Sequence, residues 1–253
     1  MAAARFDVCG VGNAIVDMIA TESDAFLAAQ DIAKGGMTLI DGDRADALTK
    51  ALPGAQQSSG GSGANSIAGI GSFGGKAAYI GKVAKDSLGE AFRADIQKLG
   101  VEYRTPPHEC GPATARCIIV VTPDAQRSMN TFLGCSPFMT KADLDKDLIQ
   151  ASAITFLEGY LFDRDEAKAA FVQAAEYAKA AGRKVALSLS DAFCVDRHRD
   201  SFRHLVEHHV DILFANEGEI KSLYETESFA DALKAVKAPI ACVTRSEKGS
   251  VIL

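Results

Sequence analysis

The 253-residue sequence has neither a long hydrophobic run nor an excess of basic residues. It contains no stretch of about 18 consecutive apolar residues, so we expect no membrane-spanning helix. The net charge of −6 argues against a nucleic-acid-binding surface, because such surfaces are usually basic. The N-terminal segment MAAARFDVCGVG has one arginine and no apolar signal core, so we expect a cytoplasmic protein.

Several familiar binding signatures are also missing. The segment GVGN begins a dinucleotide-binding pattern, but Ile15 replaces its third glycine and a strand-like segment follows. No Walker phosphate-binding loop occurs, and the six cysteines form no Cys-x-x-Cys pair, so we expect reduced, structural thiols. His204, Glu207 and His208 form a His-x-x-Glu-His pattern without an obvious third ligand downstream, which favours a solvated helix flank over a zinc site.

Short apolar runs alternate with helical segments along most of the chain. Helices are predicted at about 44–51, 64–74, 87–98 and 165–181, with strand-like runs between them. This alternation indicates βαβ units and a parallel sheet that is covered on both faces. Contents of 47% hydrophobic and 24% charged residues are ordinary for a globular enzyme of this kind.

The region 101–132 departs from this alternation. Its segment TARCIIVVTPDAQRSMNTFLG predicts two strands joined at Pro123 and Asp124 with no helix between them, which is typical of a hairpin. The short strands at 14–20 and 35–41 could join them. We expect a small antiparallel sheet that forms a lid over a site at the carboxyl ends of the parallel strands.

The glycine-rich segment 60–89 is the most informative part of the chain. Asn65 is an isolated polar residue among small ones, and a glycine-rich turn that opens a helix suits close backbone approach to a ligand. A flexible linker is the alternative, and the letters QQSSGGSG alone would permit it. The helical spacing that begins at Ile67 and the strand AAYIG favour the ligand site.

Polar residues follow two of the predicted strands. Asp17 lies near Asn13 after an apolar strand and could accept hydrogen bonds from a vicinal diol, although a solvent-facing turn is the alternative. Asn216 and Glu219 lie where a strand meets a helix. Simple capping would explain Glu219, since the helix dipole favours a carboxylate there, but ligands also bind at this edge of a parallel sheet.

Together these segments resemble the ribokinase-type (PfkB) family of carbohydrate and nucleoside kinases, and within it the adenosine kinase branch. The matching segments occur in family order and span nearly the whole chain: GNAIVD, GGSGANSI, GGKAAYIGKVAKDSLG, QRSMNTFLG, EGY, LSLSDAF, ANEGE and VTRSEKGS. The resemblance implies a single ribokinase-like α/β domain over 1–253. Its fold would be a Rossmann-type parallel sheet flanked by helices, with a small β-sheet lid drawn from 14–20, 35–41 and 101–132.

The resemblance also implies a substrate site. Asp17 is expected to hold two sugar hydroxyls, with Asn13 beside it. Gly61, Ser62 and Asn65 are expected to complete the hydroxyl-binding loop.

A phosphate site is implied in the same way. Asn216 and Glu219 match the family's N-x-x-E motif, which organises Mg²⁺ and its waters around the phosphates of ATP. Arg127 is expected near the transferred phosphoryl group. Thr244 and Gly249 are expected to flank the ATP site.

The expected reaction is therefore ATP- and Mg²⁺-dependent phosphorylation of a nucleoside 5′-hydroxyl, converting adenosine to AMP. Ile15, Met129 and Leu161 are expected to line the base pocket, since apolar residues suit a purine whereas polar ones suit a sugar. A kinase for a free sugar such as ribose or fructose is the alternative within the family. A non-catalytic binding protein is the alternative from another class.

The C-terminal end departs from the family pattern. The sequence stops in the apolar run 251–253, so we expect a truncated chain with an unfinished sheet. The family's Gly-Ala-Gly-Asp segment, whose aspartate is the catalytic base, is absent. We therefore expect the base beyond Leu253 and no activity from residues 1–253 alone. Ser246 stands where many relatives have glycine, and either a monomer or a homodimer would fit.

Overall fold

The computed structural model describes residues 3–253, which form two β-sheets with helices packed around them. The strands are, in chain order, β1 (Phe6–Val11), β2 (Ile15–Thr21), β3 (Met37–Leu39), β4 (Gln56–Gly60), β5 (Ala77–Ile80), β6 (Val101–Tyr103), β7 (Ala115–Val121), β8 (Arg127–Phe132), β9 (Ser152–Glu158), β10 (Lys184–Ser188), β11 (Ile212–Asn216), β12 (Ile240–Thr244) and β13 (Ser250–Ile252). The helices are α1 (Asp24–Ala29), α2 (Gly42–Ala51), α3 (Ser62–Ser72), α4 (Ser87–Lys98), α5 (Lys146–Gln150), α6 (Asp165–Ala180), α7 (Ala192–His208), α8 (Glu217–Leu223) and α9 (Phe229–Ala235).

The larger sheet has eight strands in the order β13-β12-β11-β10-β9-β1-β5-β6. Its neighbouring strands run parallel except β13, which pairs antiparallel with β12. The predicted α/β fold with a parallel sheet and intervening helices is therefore confirmed.

Helices cover both faces of this sheet because successive strand residues point to opposite sides. Val8 and Tyr79 pack with Phe92 of α4 on one face. Cys9 and Ile80, each one residue further along, pack on the other face in the main core, which contains residues of α5 to α9. Strands buried on both faces explain the near-continuous apolar runs in the sequence.

Short polar side chains set several helix boundaries. The Asp86 carboxylate accepts a hydrogen bond from the Gly89 N–H and so caps α4, and Gly100 follows that helix with a φ of 81°. Asp191 caps α7 in the same way. Among residues 3–253, no helix is long and apolar enough to cross a membrane.

The smaller sheet has five strands in the order β3-β8-β7-β2-β4, and we call it the lid sheet. The β7–β8 hairpin is antiparallel as predicted, but β2 runs parallel to β7 and β3 runs parallel to β8, so the sheet is mixed. One assignment from the sequence was wrong and one strand was not predicted. The segment 101–103 belongs to the larger sheet as β6, and the lid gains β4 from the polar stretch that resembled a linker.

The strand β4 escaped prediction because its residues QQSSG carry no apolar alternation. It is an edge strand that pairs with β2 through backbone hydrogen bonds, so its side chains need not be apolar. Its last residue, Gly60, leads directly into the glycine-rich turn before α3.

Candidate active site

A cleft of about 1080 Å³ lies between the lid sheet and the larger sheet. Its floor includes polar side chains at or just beyond the carboxyl ends of five parallel strands: Asn13, Glu158, Ser188, Asn216 and Thr244. This edge of a parallel sheet is where α/β folds usually bind ligands. The sequence-based placement of the site is therefore supported by the observed topology.

The lid sheet supplies the opposite wall of the cleft. Because side chains alternate along a strand, Ile15 and Asp17 of β2 share the cleft face, as do Cys117 and Ile119 of β7 and Met129 of β8. Apart from Asp17 these residues belong to one apolar cluster. This part of the wall is thus apolar apart from the carboxylate of Asp17.

The space for the Asp17 carboxylate depends on Gly60, a glycine on the neighbouring strand β4. A Cβ atom at Gly60 would lie 2.2 Å from Asp17 Cγ and 2.3 Å from Oδ2, so any larger residue would displace the carboxylate. Burial raises the pKa of Asp17 to about 6, and a hydrogen bond from the Asn65 side chain acts in the opposite direction. The structure therefore brings the predicted pair Asp17 and Asn65 together.

The predicted loop at Gly61, Ser62 and Asn65 forms the start of α3 and lines the cleft. Gly61 has a φ of 96°, and a Cβ atom there would lie 2.6 Å from the Asn13 carbonyl oxygen. Only glycine fits this backbone. The turn therefore keeps the start of α3 close to Asn13 while Ser62 and Asn65 remain exposed to the cleft.

Glu158 is the site residue that sequence reasoning missed. It is 1% exposed at the end of β9, and its carboxylate accepts hydrogen bonds from the Asn13 N–H at 2.6 Å and the Gly63 N–H at 2.7 Å. Burial raises the pKa of Glu158, whereas these hydrogen bonds lower it. One side chain thus fastens both loops of the predicted substrate site. The signals in the sequence are a carboxylate at the end of an apolar strand and its place in the family-matching segment EGY.

Asn216 and Glu219 form a reciprocal capping box at the start of α8. The Asn216 Oδ1 accepts from the Glu219 N–H at 2.8 Å, and the Glu219 carboxylate accepts from the Asn216 N–H at 3.0 Å and from its Nδ2 at 2.7 Å. Both residues also line the cleft, and burial raises the pKa of Glu219. The sequence left capping and ligand binding as alternatives, and the geometry is compatible with both.

The other residues predicted for the phosphate site lie on the lid sheet and at the end of β12. Arg127 begins β8 and lines the cleft from the lid, and no carboxylate among residues 3–253 forms an ion pair with it. Thr244 ends β12 and also lines the cleft. Gly249 lies in the following turn with a φ of 82° and does not itself line the cleft, although the adjacent Ser250 does.

The prediction that Leu161 lines the base pocket was wrong. Its side chain is 1% exposed and packs in the main core, and it is absent from the cleft wall. The neighbouring Tyr160 lines the cleft instead. A tight turn over Gly159–Asp163 interrupts simple alternation after β9, so the sequence could not show which of the two faces the cleft.

Three of the cysteines line the cleft, namely Cys117, Cys194 and Cys242. All six cysteines are free, and burial raises the pKa of the cleft residues Cys117 and Cys194 to about 11 and about 12, so their thiols stay protonated. His204 stacks on His208 along α7. Within residues 3–253 no cluster of three or more His, Cys, Asp or Glu side chains could hold a metal ion.

Comparison with known proteins identifies the family. A family model described as pfkB family carbohydrate kinase matches residues 29–253. The chain belongs to this PfkB family. Curated relatives include fructokinase-2 of Solanum lycopersicum, 28% identical over 132 residues, and fructokinase-1 of Zea mays, 25% identical over 236 residues. The PfkB chain spans 40% and 66% of their respective lengths.

Solved structures extend this comparison. The PfkB chain is 48% identical to the adenosine kinase from Sinorhizobium meliloti and 47% identical to a probable sugar kinase protein from Rhizobium etli CFN 42. Each superposition has a TM-score of 0.88 and covers 99% of this chain and 77% of the other. An adenosine kinase from Anopheles gambiae shares the fold at 21% identity, with a TM-score of 0.81 and coverage of 98% and 78%.

Proposed function

We propose that this PfkB chain carries the substrate site of an ATP-dependent kinase that phosphorylates the 5′-hydroxyl of a nucleoside, and that adenosine is its substrate. The observation that carries the proposal is the placement of Asp17, a half-buried carboxylate among the apolar residues Ile15, Cys117, Ile119 and Met129 of the lid wall. A nucleoside has the matching shape, with a polar diol at one end and an apolar base at the other.

The sugar would bind between Asp17 and the start of α3. An ionised carboxylate accepts hydrogen bonds and cannot donate them, so Asp17 suits the two hydroxyl groups of a ribose. Asn65 bonds the same carboxylate and would hold its orientation. Ile15 and Met129 on the lid wall would cover the base, with a gain of roughly 25 cal/mol for each Å² of apolar surface removed from water.

The phosphates of ATP would lie over the carboxyl ends of β11 and β12. Asn216 and Glu219 supply oxygen atoms at the cleft, which suit Mg²⁺ and its waters. When bound, Mg²⁺ would neutralise phosphate charge. Arg127 would approach the transferred phosphoryl group from the lid, and Thr244 would flank the nucleotide together with the turn at Gly249.

Phosphorylation of a free sugar is the second candidate. The curated fructokinase relatives and the Rhizobium etli protein favour it, since those names describe sugar kinases. Asp17 and Asn65 would serve a sugar diol equally well. The apolar lid wall is the observation that favours a nucleoside instead.

The setting of the enzyme is also part of the proposal. Six free cysteines fit a reducing compartment such as the cytoplasm. Either a monomer or a homodimer would fit, because the cleft residues Asp17, Asn65, Asn216 and Glu219 all come from one chain.

The test is an ADP-release assay on a protein that includes the family's Gly-Ala-Gly-Asp segment, with adenosine, ribose and fructose as competing acceptors. We expect the highest kcat/KM for adenosine. We also expect Asp17→Ala to lower it by at least ~10²-fold, because each lost charge-assisted hydrogen bond costs about 1.5–3 kcal/mol. Asp43→Ala, an exposed aspartate on α2, is the control. A higher kcat/KM for either sugar would favour the second candidate, and wild-type kinetics in Asp17→Ala would refute the diol site.

A further inference from the structure

A fully buried serine lies behind the cleft. Ser136 follows β8 in a short turn over Ser136–Phe138 and is 0% exposed. Its Oγ lies 3.1 Å from the Ala14 backbone nitrogen and 3.0 Å from Asn13 Oδ1. It does not line the cleft, so any effect on a ligand must pass through its neighbours.

The chemistry of a hydroxyl fixes the direction of these two hydrogen bonds. The Ala14 N–H can only donate, so Ser136 Oγ accepts there. Its single proton is then free for Asn13 Oδ1, which can only accept. The Asn13 amide is therefore oriented with its oxygen towards Ser136 and its NH₂ group away from it. The bond between the Asn13 side chain and the Glu158 carboxylate agrees, since that carboxylate is an acceptor.

The main chain at Asn13 has separate support. Tyr79 Oη donates to the Asn13 carbonyl oxygen at 2.8 Å, and Glu158 accepts from the Asn13 N–H at 2.6 Å. Both bonds are independent of Ser136. Loss of the serine hydroxyl would thus leave the Asn13 amide with only its bond to Glu158 and remove the acceptor of the Ala14 N–H, while these two bonds still hold the main chain at Asn13.

We propose that Ser136 is a positioning residue, which together with Glu158 fixes the Asn13 amide so that it presents its remaining N–H to a hydroxyl oxygen of the ligand. This inference rests on the proposed function. Asp17 accepts and Asn13 donates, so the site selects groups that both donate and accept, as sugar hydroxyls do. A ligand carboxylate would be repelled by Asp17, and an ammonium group would meet the remaining N–H of the Asn13 amide.

The test is a double-mutant cycle on ligand affinity, with adenosine and ribose as probes in titration calorimetry of the chain. Ser136→Ala should raise the Kd about tenfold, the equivalent of one hydrogen bond. Asn13→Ala should raise it at least as much. In the Asn13→Ala background, Ser136→Ala should change the Kd by less than about twofold, because its effect passes through the amide.

A matched control keeps the test specific. Ser152→Ala also removes a fully buried serine hydroxyl, which donates to the Leu148 carbonyl oxygen at 2.8 Å in α5. It should leave the Kd unchanged while lowering thermal stability in the same way. A purely structural role for Ser136 would instead make the two alanine variants alike in both measurements.

The outcomes separate this inference from the function on which it rests. If the wild-type chain binds the probes and Ser136→Ala has the same Kd, only the positioning role is overturned. Multiplicative effects of the two substitutions also overturn it, because they would show that Ser136 acts independently of Asn13. Failure of the wild-type chain to bind adenosine or ribose overturns the proposed function, and the ligand contact of Asn13 falls with it.

Discussion

Replacement of Gly60 by alanine should disable the substrate site without disturbing the fold. The backbone at Gly60 does not have the positive φ that would exclude alanine, so the effect comes from contact alone. The new Cβ atom would lie 2.2 Å from Asp17 Cγ, 2.3 Å from Oδ2 and 2.5 Å from Oδ1. To reach ordinary contact, the carboxylate has to move by about 1.2 Å.

The size of the functional effect follows from this displacement. A misplacement of about 1 Å in a positioning group costs roughly a hundredfold in rate. In a protein that includes the Gly-Ala-Gly-Asp segment, we therefore expect Gly60→Ala to lower kcat/KM for adenosine about a hundredfold and to leave the KM for ATP unchanged. Nucleoside affinity measured by calorimetry should fall in parallel, so the result does not depend on turnover.

Gly69→Ala in α3 is the matched control for this prediction. A Cβ atom at Gly69 meets no atom within 4 Å, and alanine in a helix interior is about 1 kcal/mol better than glycine. That variant should keep its affinity and gain stability. Wild-type kcat/KM in Gly60→Ala would refute the reasoning, because it would show that the position of the Asp17 carboxylate is unimportant for binding.

Two further predictions concern the buried carboxylates. The folded-state pKa of Asp17 is raised to about 6 from 3.8, so its ionisation opposes folding above pH 6 and this penalty disappears below pH 3.8. Asp17→Asn should thus raise the free energy of unfolding by about 2 kcal/mol at pH 7 but not at pH 3.5. In the wild type, adenosine affinity should fall roughly tenfold for each pH unit below 6, and Asp17→Asn should abolish this dependence. A stability gain in Asp17→Asn that is independent of pH would contradict the burial of Asp17. Glu158→Gln should lower the free energy of unfolding, measured in urea, by about 3 kcal/mol, because an NH₂ group would then face the N–H of Asn13 or Gly63. The control is Glu109→Gln at an exposed position, which should have no effect on the free energy of unfolding. Equal stability of those two variants would mean that Glu158 does not fasten the loops.

The architecture was predictable because it depends on local periodicity. The helices observed at Ser62–Ser72, Ser87–Lys98 and Asp165–Ala180 lie within two residues of the predicted bounds. Apolar strands between them required a parallel sheet, and that sheet placed Asn216 and Glu219 at a ligand-binding edge. The family resemblance then pointed to Asp17, Asn65 and their loop.

Other features depend on partners that are distant in the sequence. The polar strand β4 is a strand only because β2 offers it a backbone ladder, and Leu161 is a core residue only because of the turn after β9. The sequence around β4 has no apolar pattern that would distinguish a strand from a linker, and the sequence around Leu161 has none that would distinguish a core residue from a cleft residue. Pairing and burial decided both.

The sequence by itself determined which chemistry the chain possesses and which elements carry it. Alternation of apolar residues is a property of neighbours, so the order of strands and helices and the residues at their ends were already specified. Only the tertiary structure decided how those ends meet. Glu158 joins Asn13 and Gly63 across separations of 145 and 95 residues, and Ser136 orients Asn13 across 123. Hydrogen bonds of this kind leave no local pattern, because each polar group is explained only by its partner in space.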